Sequence, residues 1–361
     1  MIYLDNAATT LHKPVGVADA VRKAMFTCAN PGRGGYPAAM QAANVVFHCR
    51  ERAAKLFHCQ PEQVVFTANC THALNIAITT LVKPGSTVVI SGFEHNAVTR
   101  PLHALGAQIL VAGRKLFDWE DTLQAFEKAL QQGAQCAVFT HVSNVFGYVL
   151  PIQQMARLCK QYGVACIIDA AQSAGTLPID LLALEADFVA MPGHKGLLGP
   201  QGTGILLCNR LPKPLICGGT GSNSKSLEMP DFLPDAAEAG TLNVPGIAGL
   251  GAALEYLLRT DLEEASRRET EEVRFCAGQL EKMGLRVFAG DHQSNCISFV
   301  PQGDCEEAAA RLARKAIAVR AGFHCAPLAH ESAGTLDTGT VRISFGKDAA
   351  RRQSLALLNA L

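Results

Sequence analysis

Apolar residues along this chain gather in short, nearly continuous runs at 63–67 (QVVFT), 86–91, 107–112, 135–142, 164–169, 187–191 and 205–208. Runs of this length without strict alternation read as strands buried on both faces. Between them, apolar residues at three- and four-residue spacing predict helices over 37–57, 71–80, 121–131 and 247–258, the first with a proline in its opening turn, where a missing N–H costs nothing. Residues 30–35 (NPGRGG) and 217–234 are rich in Gly, Ser and Pro and predict loops. Strands alternating with helices indicate an α/β sheet. From Thr260 the texture changes. Thr260 and Glu263 have the spacing of a capping box opening a charged amphipathic helix to 282. Strands at 285–288 and 296–300, a helix at 306–316 and strands at 317–320 and 340–344 complete a small α+β unit. The expected division is a large domain over 13–258 and a small one formed by 1–12 with 259–361.

Two strand ends carry the candidate chemistry. The run 164–168 ends on Asp169, and the run 187–191 leads into Pro192-Gly193-His194-Lys195, where glycines on both sides of the lysine predict a bent loop. Sheets of this class bind ligands at the carboxyl ends of their strands. A lysine and a carboxylate brought together there suit pyridoxal phosphate (PLP): the amine holds the aldehyde as a Schiff base, and the carboxylate keeps the pyridine nitrogen protonated. A solvated lysine beside a structural aspartate accounts for the same spacing.

The wording of these stretches carries more. D-A-A-Q at 169–172, G-H-K at 193–195 and G-P-Q-G-T-G at 199–204 resemble the class V aminotransferases, a family that includes the cysteine desulfurases. The opening Y-L-D-N-A-A-T-T at 3–10 resembles the start of those enzymes, and the resemblance runs in order from residue 3 to about 346, beginning after the helix that usually precedes this motif. It implies the PLP type I fold: a large domain around a mixed, mostly parallel seven-stranded sheet, with a small α+β C-terminal domain.

Residue by residue, the resemblance assigns Lys195 to the cofactor aldehyde, Asp169 to the ring nitrogen, and Gln172 and Asn144 to the phenolic oxygen. His194, Cys70 and Thr71 go to the phosphate. The helix following 63–67 offers free amides for that phosphate, and Thr71 equally suits an N-cap. His95, in E-H-x-A, corresponds to the histidine that stacks on the ring and moves protons. Thr241, in A-G-T, corresponds to a residue that reaches the neighbouring subunit's phosphate site and so implies a homodimer; the plain alternative is an N-cap. One departure is Pro192, where the family has a phosphate-binding serine; a missing bond of this kind is worth about 1–3 kcal/mol.

Arg320-Ala-Gly-Phe-His-Cys325 resembles the R-x-G-x-H-C of group II cysteine desulfurases, whose cysteine carries a persulfide. Arg342, seventeen positions on, resembles the arginine that grips the substrate carboxylate, a task its fork suits; Arg320 is placed to assist. The implied reaction converts L-cysteine to L-alanine, with His324 or His95 helping to form the Cys325 thiolate. Three alternatives stay open. Selenocysteine lyase, acting on L-selenocysteine, uses nearly the same residues. Another class V lyase or aminotransferase would not need Cys325. A binding role without catalysis leaves Lys195, Asp169 and His95 superfluous. The short segment between Cys325 and Arg342 implies limited reach and a dedicated sulfur-acceptor protein.

Composition narrows the setting. Thirty-two basic and 32 acidic residues balance over 361 positions, without blocks of like charge, so nothing points to nucleic acid or a membrane surface. No run approaches a membrane span and MIYLDNAATT lacks the features of a signal peptide, so the expected address is cytoplasmic. Thirteen cysteines without C-x-x-C pairs form no zinc pattern; most are expected as reduced, buried fillers.

Overall fold

The computed structural model describes residues 1–32 and 34–361; Arg33, in the loop expected at 30–35, lies outside the described residues. Seven strands form one sheet in the order Val64–Thr67, Gly204–Cys208, Phe188–Pro192, Ala165–Asp169, Cys136–Thr140, Thr87–Ser91, Gln108–Ala112. Gly204–Cys208 runs against both neighbours and the remaining pairs are parallel. The five strands from Val64–Thr67 to Cys136–Thr140 are buried almost throughout because helices cover both faces. Cys166 and Ile168 join the core on one face while Ile167 joins the core on the other. Phe139 and Phe188, both fully buried, contribute about 1.5–3 kcal/mol each by leaving water.

A second sheet, antiparallel, has the order Arg320–Gly322, Thr340–Ser344, Cys296–Val300, Arg286–Phe288. Its core includes Val273 and Leu280 from the 21-residue helix Leu262–Lys282, together with Leu4 from the start of the chain. Ile2–Tyr3 pairs in parallel with Ile317–Ala318. The strand expected at 317–320 is therefore two: the chain leaves the N-terminal partner after Ala318 and enters the antiparallel sheet at Arg320.

Helix starts differ from the sequence reading. Asn69 caps Cys70–Leu81 by accepting the His72 N–H at 2.9 Å, so Thr71 lies inside the first turn. Asp261, not Thr260, caps Leu262–Lys282, accepting from Glu264 N–H at 3.0 Å. A carboxylate takes this place, while the Thr260 hydroxyl donates back to Tyr256 O. Asn243, not Thr241, caps Val244–Leu257. Helices Val17–Thr27, Asn96–Ala104, Ile152–Gln161 and Pro327–Ala333 were not expected. The first has Gly16 in left-handed backbone at its N-cap with no capping side chain, and the second carries Pro101 inside it.

Candidate active site

The carboxyl ends of the parallel strands surround a cavity of about 120 Å³. Cys70, Thr71, His95, Asn144, Asp169, Gln172, His194 and Lys195 line it, with Pro192 beside them. Two close approaches seat the lysine turn. A Cβ on Gly193 would lie 2.1 Å from Thr203 Oγ1, and one on Gly196 would lie 2.3 Å from Ala174 O. Only glycine lets the turn press onto its neighbours there. The backbone is then pinned from the N-terminal segment: His194 O accepts Thr10 N–H at 3.2 Å and Lys13 Nζ at 2.9 Å, and Lys195 O accepts the Thr10 hydroxyl at 3.1 Å.

Desolvation sets the charges. Burial lowers the Lys195 pKa, favouring the neutral amine that can act as nucleophile or base, against the pull of Cys70 and Asp169. Burial raises the Asp169 pKa, opposed by the Ala171 N–H, Lys195 and the Cys70 thiol. Asp169 Oδ1 takes the Ala171 N–H at 2.9 Å and the Cys70 S–H at 3.5 Å. His95 caps the helix Asn96–Ala104, with Nδ1 accepting from Ala97 N–H at 3.0 Å. Burial, then the charges of Lys195 and nearby arginines, lower its pKa to about 4. The ring is therefore neutral at pH 7 with its proton on Nε2. His194, also lowered to about 4 by burial, sets Nδ1 against Thr9 Oγ1 at 2.9 Å.

The residues present fit PLP. A buried carboxylate with Oδ2 left uncommitted suits a protonated ring nitrogen, and the desolvation that raises Asp169 is relieved by such a partner. The first amides of Cys70–Leu81 have no intrahelical acceptor, and the Asn69 cap takes the His72 N–H, leaving those of Cys70 and Thr71 for a phosphate. Gln172 Nε2 spends one hydrogen on Ala7 O at 3.0 Å and keeps another. Pro192, the last residue of its strand, offers no hydroxyl.

The second group of expected residues stands beside the cavity rather than in its lining. Arg342 is 1% exposed; Nη1 donates to Asn144 O at 2.9 Å and Nη2 to Asp5 Oδ1 at 2.7 Å. Arg320 lies opposite it in register, with an exposed side chain. Cys325 is exposed, and its carbonyl accepts the Asn96 N–H at 2.8 Å. Asn144 Nδ2 donates to His324 O at 2.8 Å. His324 and Cys325 both have left-handed backbone, at φ 49 and 57, a costly conformation for side-chain-bearing residues that neighbouring contacts must hold. The His324 ring makes no hydrogen bond to the Cys325 thiol. It is buried against Thr340, with Nε2 3.2 Å from Thr340 Oγ1, and desolvation drives its pKa down to about 2. Thr241 is exposed on a separate cavity of about 610 Å³, so a single chain does not bring it to Lys195.

Sequence reasoning missed Asp5 and Glu94. Glu94 is fully buried; Oε1 accepts from the Ser91 hydroxyl and from Thr140 N–H at 2.9 Å, while Oε2 has no partner. Both residues sit inside motifs already singled out, but Arg342, which binds Asp5, and Thr140, which binds Glu94, are distant in sequence. Among the described residues no cluster of His, Cys, Asp and Glu could hold a metal ion.

This cavity and sheet define a PLP enzyme of the type I fold. The family described as Aminotransferase class-V matches residues 2–353, and the chain belongs to that family. It is 33% identical over 364 residues to the "Probable cysteine desulfurase" of Methanothermobacter thermautotrophicus, covering 95% of this chain and 90% of that protein. It is 34% identical to the "Probable cysteine desulfurase" of Chlamydia muridarum, covering 90% and 85%. The apo structure of cysteine desulfurase from Thermococcus onnurineus NA1 superposes with a TM-score of 0.90 at 28% identity, covering 99% and 93%. The cysteine desulfurase CsdA (S-sulfonic acid) from Escherichia coli gives 0.88 at 27%, with the same coverage.

Proposed function

We infer that this protein is a PLP-dependent cysteine desulfurase, converting L-cysteine to L-alanine with the sulfur held as a persulfide on Cys325. The placing of Cys325 carries this reading. It is one of two exposed cysteines among thirteen, and Asn96 and Asn144 fasten its loop to the rim of the Lys195 cavity. PLP, when bound, supplies the electron sink that makes the substrate Cα–H acidic. Lys195 Nζ, favoured as the neutral amine, moves that proton. Asp169 would hold the ring nitrogen, His95 would pack over the ring, and Gln172 and Asn144 would serve its oxygen. The amides of Cys70 and Thr71, with His194, would receive the phosphate. Arg342, assisted by Arg320, holds the substrate carboxylate.

The Cys325 thiolate attacks the substrate sulfur. An S–S bond forms, the Cβ–S bond breaks with its electron pair left on carbon, and protonation of that carbon yields alanine. His95, neutral and on the helix whose first amide binds Cys325 O, is the imidazole placed to assist. The test is alanine and sulfide formation from L-cysteine with a reductant, comparing wild type with Cys325→Ala. Loss of sulfide in a variant that still binds PLP supports the reading; undiminished turnover sinks it. Relative rates on L-selenocysteine decide between desulfurase and selenocysteine lyase.

The working unit on this reading is a homodimer. Met25, Phe26, Met40 and Phe47 are half or more exposed on the first two helices, and Phe47 lines the Thr241 cavity; exposed apolar side chains of this kind suit a subunit interface. Thr241 would complete the neighbouring site. A sulfur-acceptor protein collects from Cys325, whose latched loop requires the acceptor to approach. We take residues 13–258 as the large domain and 1–12 with 259–361 as the small one. No described helix is long and apolar enough to cross a membrane, and the reading assigns the protein to the cytoplasm without nucleic-acid or membrane partners.

A further inference from the structure

Arg342 shares its guanidinium between two partners, Asn144 O on Nη1 and the Asp5 carboxylate on Nη2, while Nε is buried without an acceptor. Each Nη carries two hydrogens, so both keep one for a further acceptor. Asp5 does not depend on this ion pair for its position. Its backbone bridges to Ser344, two residues along the strand from Arg342. On one side of it Leu4 N–H donates to Ala318 O at 2.8 Å, and on the other Ala7 N–H donates to Ser344 Oγ at 2.9 Å and Asn6 Nδ2 to Ser344 O at 3.1 Å. The backbone thus holds a carboxylate beside Arg342 whether or not a substrate is present.

We propose that Asp5 is a positioning residue that aims the Arg342 fork and offsets part of its charge, weakening the site's hold on an amino-acid carboxylate. The inference rests on the reading of Arg342 as the carboxylate grip. A substrate carboxylate then shares one guanidinium with a fixed carboxylate. The repulsion between two such charges a few ångströms apart in a partly desolvated site is worth about tenfold in affinity. The device favours exchange: substrate binds an already aimed arginine, and alanine, carrying the same carboxylate, leaves it readily.

Asp5→Asn keeps the shape and the accepting oxygen while removing the charge. In the PLP-loaded enzyme, KM for L-cysteine and the inhibition constant of L-alanine are expected to fall together by about three- to tenfold. Inhibition by L-alaninol, which lacks the carboxylate, should not change, and Asp5→Glu should keep KM near wild type. A KM that is unchanged or raised in Asp5→Asn overturns the proposal, as does an equal shift for L-alaninol, which would mark a general structural effect. Arg342→Lys separates the two levels. If it raises KM while Asp5→Asn does nothing, only the role of Asp5 falls. If it leaves KM unchanged, the carboxylate is held elsewhere, with Arg320 the next cation in register, and the underlying reading falls with it.

Discussion

The floor and the wall of the site are built on different principles. Lys195 and Asp169 stand at the ends of strands in a sheet covered on both faces, and close backbone approaches at Gly193 and Gly196 fix the lysine turn. Cys325 stands on a loop beside a small antiparallel sheet, with two consecutive residues in left-handed backbone and latches to Asn96 and Asn144 across the gap. A group that moves a proton at one carbon benefits from immobility. On the proposed reading, a thiol that passes sulfur onward must stay reachable, and the strain of its loop is offset by contacts from the floor. The comparison breaks cleanly with two variants. Lys195→Ala should abolish both Cα–H exchange of L-alanine in D2O and sulfur release, by about a thousandfold or more for an essential base and nucleophile. Cys325→Ala should abolish sulfur release alone and leave exchange, followed by NMR, close to wild type. Loss of exchange in both variants would mean that the wall also shapes the chemistry at the α-carbon.

The floor also contains a buried titrating group, Glu94. Burial raises Glu94 from 4.5 to about 8, opposed by its bonds to Ser91 and Thr140. Between those values the folded state binds a proton that the unfolded state has released, so stability falls as pH rises through this window. Glu94→Gln keeps the acceptor for Thr140 N–H and Ser91 and stays neutral. Its stability relative to wild type should therefore climb between pH 4.5 and about 8, by up to about 5 kcal/mol. Thermal unfolding across that range reads the difference; a constant offset at all pH values would show that Glu94 does not titrate there.

How much of this was legible in sequence follows the same division. Continuous apolar runs such as ACIID and FVAMP read as buried strands because parallel sheets impose that pattern. Helix Ile152–Gln161 buries Ile152, Met155, Ala156 and Cys159 at helical spacing, a signal present but not used. Val17–Thr27 begins after a bare Gly16 and gave no start signal. At the site, the motif residues lining the cavity were readable one by one. Asp5 was not, because its partner lies 337 residues away and a local pattern carries no information about such a pair. The break of 317–320 into two strands was hidden for the same reason: its first half pairs with residues 2 and 3. The buried contact of His324 depends on Thr340 in the neighbouring strand, which its adjacency to Cys325 did not reveal.

Asp261 offers the smallest and most local probe of the same contrast. It caps Leu262–Lys282, where the chain passes from the floor's last helix to the wall's first. Losing the bond to Glu264 N–H in Asp261→Ala should cost about 1 kcal/mol, while Thr260→Ala, which removes no cap, should cost less. The informative quantity is where that loss is felt. The core holding Val273 and Leu280 is distinct from the two that flank the large sheet, and separate cores can open as separate cooperative units. Amide exchange in Cys296–Val300 and Thr340–Ser344 should then speed up in Asp261→Ala, with Ala165–Asp169 and Phe188–Pro192 unchanged. Equal acceleration everywhere would mean that floor and wall unfold as one, held together by the N-terminal segment that binds both Ser344 and His194.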